Sequence, residues 1–260
     1  MIYFVLPVYN EEKNLPVLIG KLRQRMSGRD YRIVAVNDGS MDNSLDILKG
    51  FGGPDLIIGG SVINMNVGAV FSDGIGIVLA QARDDDVLVI MESDQTSDVE
   101  FVDRLVAGID RDGNDVVIAS RYPKGGGYAH FPLSRRVFSY CANYLMRMCF
   151  PIQEVCDYTI FFRAYRVGVL RRLVAYFGKY GLIQSKGFVA NAELLIKLSL
   201  LTERIKEIPY VYDYQKKLGK SKINIVRTIN EYIVLINYMR RIFGKVDKYK
   251  RSHNIPGILP

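Results

Sequence analysis

The chain has 260 residues, 49% apolar and 24% charged, and its 35 Lys and Arg against 27 Asp and Glu give a formal charge of +8. That length and balance suit a globular chain with a large core and exclude a disordered one, while the basic excess favours anionic partners: nucleic acid, phosphorylated small molecules or a lipid headgroup surface. Cys141, Cys149 and Cys156 form no C-x-x-C pair, which argues against a disulfide framework or a zinc site and leads us to expect buried thiols in a reducing compartment.

The first residues, MIYFVLPVYNEE, carry no basic segment and turn acidic at Glu11, so no signal peptide is expected. Residues 2–8 (IYFVLPV) read as a strand, followed by a helix capped at Asn10 with Leu15, Leu18, Ile19 and Leu22 on one face. The alternation repeats: YRIVAVN at 31–37, a DGS turn, then Leu45, Ile47 and Leu48 at helical spacing. LIIGGSVIN and DVLVIME supply two more strands. The stretch 56–82 is interrupted by Asn64, Asn66 and Asp73, too polar for a spanning helix. Nearly all-apolar strands alternating with amphipathic helices predict an α/β fold, a mostly parallel sheet with helices on both faces, whose ligands bind at the carboxyl ends of the strands. Asn10, Asp38, Asn64, Glu92 and Asp94 each follow such an end.

DVVIAS at 115–120 is a further strand, and YPKGGGYAHFPLSRR after it is a long loop. A helix bearing Val137, Phe138, Tyr140, Cys141, Tyr144, Leu145 and Met148 comes next. The strand DYTIFFRAYR, a helix from Val167, a loop at 178–187 and the ANAELLIKLSLL helix then complete a unit over residues 1–211. Residues 212–260 read as a basic loop and an amphipathic helix, with Ile229, Ile233, Ile236 and Met239 to Phe243 beside Arg and Lys. Such a helix suits a membrane interface or packs on its own domain or a partner.

PVYNEEKNL, VNDGSMDNS and MESDQTSDVEF, in that order after their strands, resemble the inverting family 2 glycosyltransferases of the Rossmann-like GT-A type. Within them the chain looks most like polyprenyl-phosphate glycosyltransferases of the dolichol-phosphate mannose synthase kind. IASRYPKGGG, LSRRVFSYCAN, DYTIFFRAYR, KGFVANAELL, EIPYVY and GKSKI extend the resemblance over residues 2–225. It implies metal-dependent transfer of a hexose from a nucleoside-diphosphate sugar, with GDP-mannose and UDP-sugars both open, to dolichyl or undecaprenyl phosphate.

The resemblance places Mg2+ or Mn2+ at Asp94, with Glu92 and Thr96, because hard carboxylate oxygens and a diphosphate suit such cations; Glu92 stands where relatives carry Asp. It assigns the nucleotide sugar to Pro7, Tyr9, Asn10, Glu11, Asp38, Asn64, Gly68, Glu92, Ser93 and Asp94, with Asn37 and Asn66 replacing a usual Asp and Gly. Arg121, Arg135, Ser139, Asp157, Lys220 and Lys222 are expected to serve the acceptor and its phosphate, since guanidinium binds phosphate bidentately. Asp94, Arg121 and Arg135 are the expected catalytic set. Arg163 is expected to brace the fold and Glu193 to act structurally or in catalysis. No general base is required, the acceptor phosphate being ionised near neutral pH, and neither His130 nor His253 falls in a matching motif.

The second reading is a family 2 enzyme with a saccharide acceptor in cell-surface polysaccharide synthesis, but no Q-x-x-R-W signature is present. Nucleic-acid binding lacks any RNP-like motif, and PVYNEE stands where a dinucleotide oxidoreductase requires G-x-G-x-x-G. Many relatives continue into hydrophobic spans, whereas this sequence ends at Pro260 without one. It is therefore expected to be cytoplasmic, peripheral at the cytoplasmic face of a membrane, or to recruit an integral membrane partner.

Overall fold

The computed structural model describes residues 1–217 and 224–252, the side chains of 246–252 excepted. In chain order its elements are β1 (Ile2–Val8), α1 (Leu15–Arg25), β2 (Tyr31–Asp38), α2 (Ser44–Phe51), β3 (Leu56–Ser61), α3 (Val67–Leu79), β4 (Val87–Ile90), α4 (Val102–Asp110) and β5 (Val116–Ser120). They continue with β6 (Gly127–Ala129), α5 (Leu133–Cys149), β7 (Arg163–Arg166), α6 (Val167–Phe177), α7 (Ala190–Ser199), β8 (Ile205–Pro209), β9 (Val211–Asp213) and α8 (Ile225–Ser252).

β1 is buried along nearly its whole length because it pairs on both sides in parallel, Ile2 to Val8 against Tyr31 to Asn37 and Ile2 to Val5 against Val87 to Ile90. The seven-stranded sheet runs β3-β2-β1-β4-β7-β5-β8, and β7 alone is antiparallel to its neighbours. Parallel pairing brings the carboxyl ends of β1, β2 and β4 to one rim, which is where their polar termini converge. Of the expected strand DYTIFFRAYR only Arg163–Arg166 joins the ladder. Residues 157–160 instead form a turn in which Asp157 Oδ1 accepts from the N–H groups of Thr159 and Ile160, each at 3.2 Å.

Several sequence expectations need revision. α1 begins at Leu15, with a proline in its first turn, and not at Asn10. Asn10 sits at φ 53°, its N–H donates to Ser40 Oγ at 3.0 Å, and its Oδ1 accepts from the Met41 N–H at 2.8 Å. Its side chain therefore pins the turn after β2. The segment read as one long loop contains β6, which pairs in parallel with β9, Gly127 to Ala129 against Val211 to Asp213. Neither β8 nor β9 was marked by an apolar run; both are short, and Tyr210 lies between them. Cys141 is exposed and Cys149 and Cys156 half-buried, so the thiols are not the buried set expected.

α8 splits the face proposed for it. Tyr232, Leu235, Ile236 and Met239 join the core, while Ile229 and Ile233 are exposed. Among the described residues no helix is long and apolar enough to cross a membrane.

Gly68, at the start of α3, is held against the segment before α7: its N–H donates to the Lys186 carbonyl at 3.1 Å, and a Cβ there would lie 1.9 Å from the Ser185 carbonyl oxygen. Gly68→Ala is therefore expected to lower stability by about 1–3 kcal/mol through forced backbone movement. Gly20→Ala, in the exposed interior of α1 where nothing lies within 4 Å of the added carbon, should stabilise by roughly 0.5–1 kcal/mol. Denaturant midpoints of the two variants against the parent measure both.

Candidate functional site

A cleft of about 380 Å³ opens at the rim of the sheet, lined by Pro7, Tyr9 and Glu11 after β1, Asp38 at the end of β2, Asn64 before α3, and Glu92, Ser93 and Asp94 after β4. Several of these side chains are held by neighbouring segments. Asp38 is buried and accepts from the Met65 N–H at 2.5 Å; burial raises its carboxyl above the usual range, with the Met65 and Asn66 amides working against that. Asn14 Nδ2 donates to Glu11 Oε2 at 2.6 Å, and Ser93 Oγ donates to the Pro7 carbonyl at 2.8 Å. Asn37 faces elsewhere, donating to the Ser61 carbonyl at 3.3 Å and accepting from the Ser40 N–H at 3.3 Å, so it ties β2 to β3. Asn10 and Gly68 support the cleft from behind and do not line it.

The loop after β4 is the acidic centre. Gln95 takes φ 71° and its side-chain amide anchors the loop, Nε2 donating to the Asn14 carbonyl at 3.0 Å. Tyr210 closes the other side, its hydroxyl donating to the Thr96 carbonyl at 2.5 Å and accepting from the Asp98 N–H at 3.1 Å. Fixed in this way, Asp94 and Glu92 share the cleft. Thr96 is fully buried and its hydroxyl donates to Asp94 Oδ1, so it orients the carboxylate from inside. Ser97 Oγ donates to Glu92 Oε2. Burial, then the neighbouring Asp94 charge, pushes the Glu92 carboxyl up to about 7.

Among the described residues no group of three or more His, Cys, Asp and Glu side chains could hold a metal. Two adjacent carboxylates open to a cleft nevertheless fit Mg2+ or Mn2+, which take only one or two protein carboxylates and complete their shell with phosphate oxygens and water. The Lys217 ammonium lies against Asp94 Oδ2 and acts as a stand-in cation, so the carboxylate accepts positive charge from the cleft side. Lys216 pairs with Asp98 on the same loop at 2.7 Å. Lys220 and Lys222 lie outside the described residues.

Beyond the acids the cleft continues into a chamber of about 160 Å³ that shares Glu92, Asp94, Phe161 and Lys217 with it and adds Arg121 and Arg135. A further chamber of about 120 Å³ shares Arg121, Arg135, Phe131 and Phe188 and is walled by Phe138, Ser139, Ala142, Ile225, Thr228 and Tyr232. The result is one path from carboxylates through guanidiniums to an apolar, aromatic end. Phe161, where the resemblance leads us to expect glycine, stacks on Phe188 with ring centroids 5.7 Å apart at the junction.

Arg121 is buried and bidentate to Asp157, Nε to Oδ2 at 2.7 Å and Nη2 to Oδ1 at 2.6 Å, and its Nη2 also donates to Thr159 Oγ1 at 2.6 Å. Burial alone would raise the Asp157 carboxyl and lower the Arg121 guanidinium. Their mutual attraction outweighs it, leaving Asp157 below and Arg121 above its ordinary value. Asp157, fully buried, thus acts on Arg121 and on its own turn. Arg135 is half-buried over the Tyr214 ring at 5.6 Å. Ser139 lies 2.8 Å from the Tyr128 hydroxyl.

Sequence reasoning missed several members. Glu207 on β8 accepts the Cys156 and Asp157 N–H groups at 2.8 and 2.5 Å and the Ser120 hydroxyl at 2.8 Å. Asn143 joins the Tyr158 N–H, the Tyr122 hydroxyl and Thr159 at 2.7, 2.8 and 3.1 Å. Both lie in segments of the family resemblance, Asn143 closing LSRRVFSYCAN and Glu207 opening EIPYVY, but their roles were not assigned, because their partners come from other segments. Arg163, fully buried, donates to the carbonyls of Asn191 and Asp157 and braces the fold. Glu193 forms a fully buried pair with Lys197 and accepts the Gln184 and Ser185 N–H groups at 2.9 and 2.7 Å, fixing the segment that carries Phe188. His130 is exposed and pairs with Asp213 at 3.0 Å.

A mostly parallel, helix-covered sheet with a carboxylate-bearing cleft at its rim defines a Rossmann-like α/β class of fold. The match to Glycosyl transferase family 2 spans residues 3–174, and the chain belongs to that family. It is 27% identical over 245 residues to the dolichol-phosphate mannosyltransferase of Pyrococcus furiosus, covering 94% of this chain and 65% of that protein's length. It is 28% identical over 222 residues to the undecaprenyl-phosphate mannosyltransferase of Micrococcus luteus, covering 85% and 86%. Among solved structures, glucosyl-3-phosphoglycerate synthase of Mycobacterium tuberculosis, in complex with Mn2+, UDP and phosphoglyceric acid, superposes with a TM-score of 0.64 at 17% identity, covering 91% of this chain and 76% of that one. That likeness confirms the GT-A fold.

Asp157→Asn leaves the buried Arg121 without its counter-charge and is expected to destabilise by about 3–5 kcal/mol. Because the folded carboxyl lies below its unfolded value, the pair's contribution is complete above about pH 3.9 and is lost as pH falls through the lowered folded value. Denaturant unfolding at neutral and acid pH should therefore show a large gap between parent and variant that narrows in acid.

Proposed function

We propose that the protein transfers a hexose, with inversion, from a nucleoside-diphosphate sugar to a polyprenyl phosphate at the cytoplasmic face of a membrane, with Mg2+ or Mn2+ as cofactor. The observation that carries this reading is the continuous path from Glu92 and Asp94, past Arg121 and Arg135, to a chamber walled by Phe131, Phe138, Phe188 and Tyr232. A sugar acceptor would find little to hydrogen-bond at that aromatic end, whereas a phosphate followed by an isoprenoid matches a guanidinium followed by apolar walls. Relatives named for transfer to dolichol phosphate and undecaprenyl phosphate support the same acceptor class.

In this reading Asp38 and Glu11 accept hydrogen bonds from the base and ribose, and the donor diphosphate lies over Glu92 and Asp94. These two carboxylates would hold the divalent cation, whose charge would offset that of the departing nucleoside diphosphate. Arg121, held rigid by Asp157, and Arg135 orient the acceptor phosphate. One of its ionised oxygens attacks the anomeric carbon from the face opposite the diphosphate; the new C–O bond forms as the bond to the diphosphate breaks, and the electron pair leaves on that diphosphate. The phosphate needs no base, since its second pKa is about 6, so placement carries the rate. Asn64, Tyr9 and Ser93 shape the donor end, and Ser139 the acceptor end. The described start of the basic segment, Lys216 and Lys217, lies on the acidic loop, and residues 212–260 act as the segment that follows the catalytic unit of 1–211.

Incubation with Mn2+, a panel of labelled nucleoside-diphosphate sugars and membranes containing polyprenyl phosphate should move label into an organic-extractable, acid-labile product. Label recovered only in water-soluble saccharide would overturn the lipid acceptor.

A further inference from the structure

Asp115, just before β5, gathers more positive charge than it needs. Its side chain is 1% exposed. The Thr202 hydroxyl donates to Oδ2 at 2.6 Å, and Arg204 reaches both oxygens, Nη2 to Oδ1 at 2.9 Å and Nε to Oδ2 at 3.2 Å. Those contacts already satisfy a buried carboxylate. Two further guanidiniums crowd in nonetheless, Arg172 at 3.4 Å and Arg166 at 3.9 Å. The backbone holds the group together: the Asp115 N–H donates to the Arg204 carbonyl at 2.8 Å, and the Arg166 N–H donates to the Asp115 carbonyl at 2.9 Å. Like charges gathered on a single carboxylate repel one another and leave a positive field that it does not cancel.

This surplus borders a cavity of about 390 Å³, lined by Asp115, Arg172 on α6, Leu201 and Thr202 after α7, and Glu203 and Arg204 before β8. The Arg172 and Arg204 side chains are 53 and 60% exposed, so both are open to a ligand although the carboxylate beneath them is not. Among the described residues Arg172 donates only through Nη2, to Asp115, which leaves the other N–H groups of its fork for a second acceptor. Glu203 is the one other acid on the wall. Lys206, further along β8, pairs with Asp112 at 3.4 Å and adds no net charge. The cavity stands apart from the cleft. Arg166 ends β7, antiparallel to β5, and Arg204 precedes β8, parallel to β5, so both meet Asp115 at the start of β5. Five residues of β5 separate that rim from Arg121, roughly 17–20 Å.

We propose that Arg172 and Arg204, standing over Asp115, form a second anion site that takes a soluble phosphate or diphosphate group at the rim opposite the donor cleft. The N–H pairs left over on a guanidinium match two oxygens of a phosphate, and a bound anion relieves the repulsion that one carboxylate leaves among three arginines. Asp115 holds Arg204 in place before the ligand arrives, so little ordering is required on binding. The site uses neither the donor carboxylates nor the acceptor arginines, and it stands or falls separately from the glycosyl-transfer reading.

Calorimetric titration of the full chain with pyrophosphate, with EDTA present and no nucleotide, reads the affinity, and phenylglyoxal labelling of arginines mapped by mass spectrometry reads the place. Pyrophosphate should slow the labelling of Arg172 and Arg204. Arg172→Ala leaves Thr202 and Arg204 on Asp115, so its unfolding midpoint without anion should match the parent's. Its affinity for pyrophosphate should fall roughly tenfold or more, the loss of one charged contact, and Arg204 should lose its protection. Glu203→Gln removes the other acid and should tighten binding by roughly threefold. Arg135→Ala, which weakens any anion held at the acceptor end, should leave the protection of Arg172 and Arg204 unchanged. Protection confined to Arg135, equal affinity in the parent and Arg172→Ala, or equal protection by chloride at matched ionic strength would each overturn the proposal.

Discussion

The buried pair of Arg121 and Asp157 is the constraint around which the acceptor half of the molecule is arranged. A guanidinium at the end of β5 is tolerable in that environment only because a carboxylate from the turn before β7 meets it bidentately. That turn must stay in place, and Glu207 holds it by accepting two of its amides. Glu207 sits on β8, which pairs with β5. The antiparallel insertion of β7 between β4 and β5 therefore does more than extend the sheet: it delivers Asp157 to the rim where the parallel strands end.

The donor half rests on a different kind of constraint. There the carboxylates are crowded together and only partly compensated, and burial first, then the neighbouring Asp94 charge, pushes the Glu92 carboxyl up to about 7. Their loop is restrained from both sides, by Gln95 reaching Asn14 and by Tyr210 reaching Thr96. A site that binds a multivalent cation benefits from such held, unsatisfied negative charge, because the cation relieves repulsion present before it arrives. Lys217 supplies partial relief in the structure described. The acceptor half is the reverse, with charges matched in advance and the guanidinium fixed in direction.

How much of this the sequence carried depends on the range of the interactions. β1, β2 and β4 were legible because buried parallel strands read as apolar runs that stop abruptly in polar residues, and the rim position of Asp38, Glu92 and Asp94 followed directly. Asn10 was misjudged because an asparagine before a helical pattern reads as a cap, whereas here its left-handed backbone and its bond to Met41 serve a turn. Glu207, Asn143 and Tyr210 fall in segments of the family resemblance, but their roles could not be read there, because each acts on backbone of another segment. The short β6 and β9 support each other and are too brief to show a periodicity. In α8 the apolar spacing was visible, but which residues enter the core was decided by its packing beside α5, so Ile236 and Met239 went in while Ile229 and Ile233 stayed out.

The account stands or falls on the two ends of the path doing different work on one reaction. Steady-state kinetics with Mn2+, the preferred nucleoside-diphosphate sugar and a short-chain polyprenyl phosphate measure this directly in the Arg135→Ala variant. We expect the KM for the acceptor to rise about tenfold or more, the loss of one charged phosphate contact, with the donor KM and manganese dependence unchanged. A raised donor KM with an unaltered acceptor KM would contradict the division of the groove.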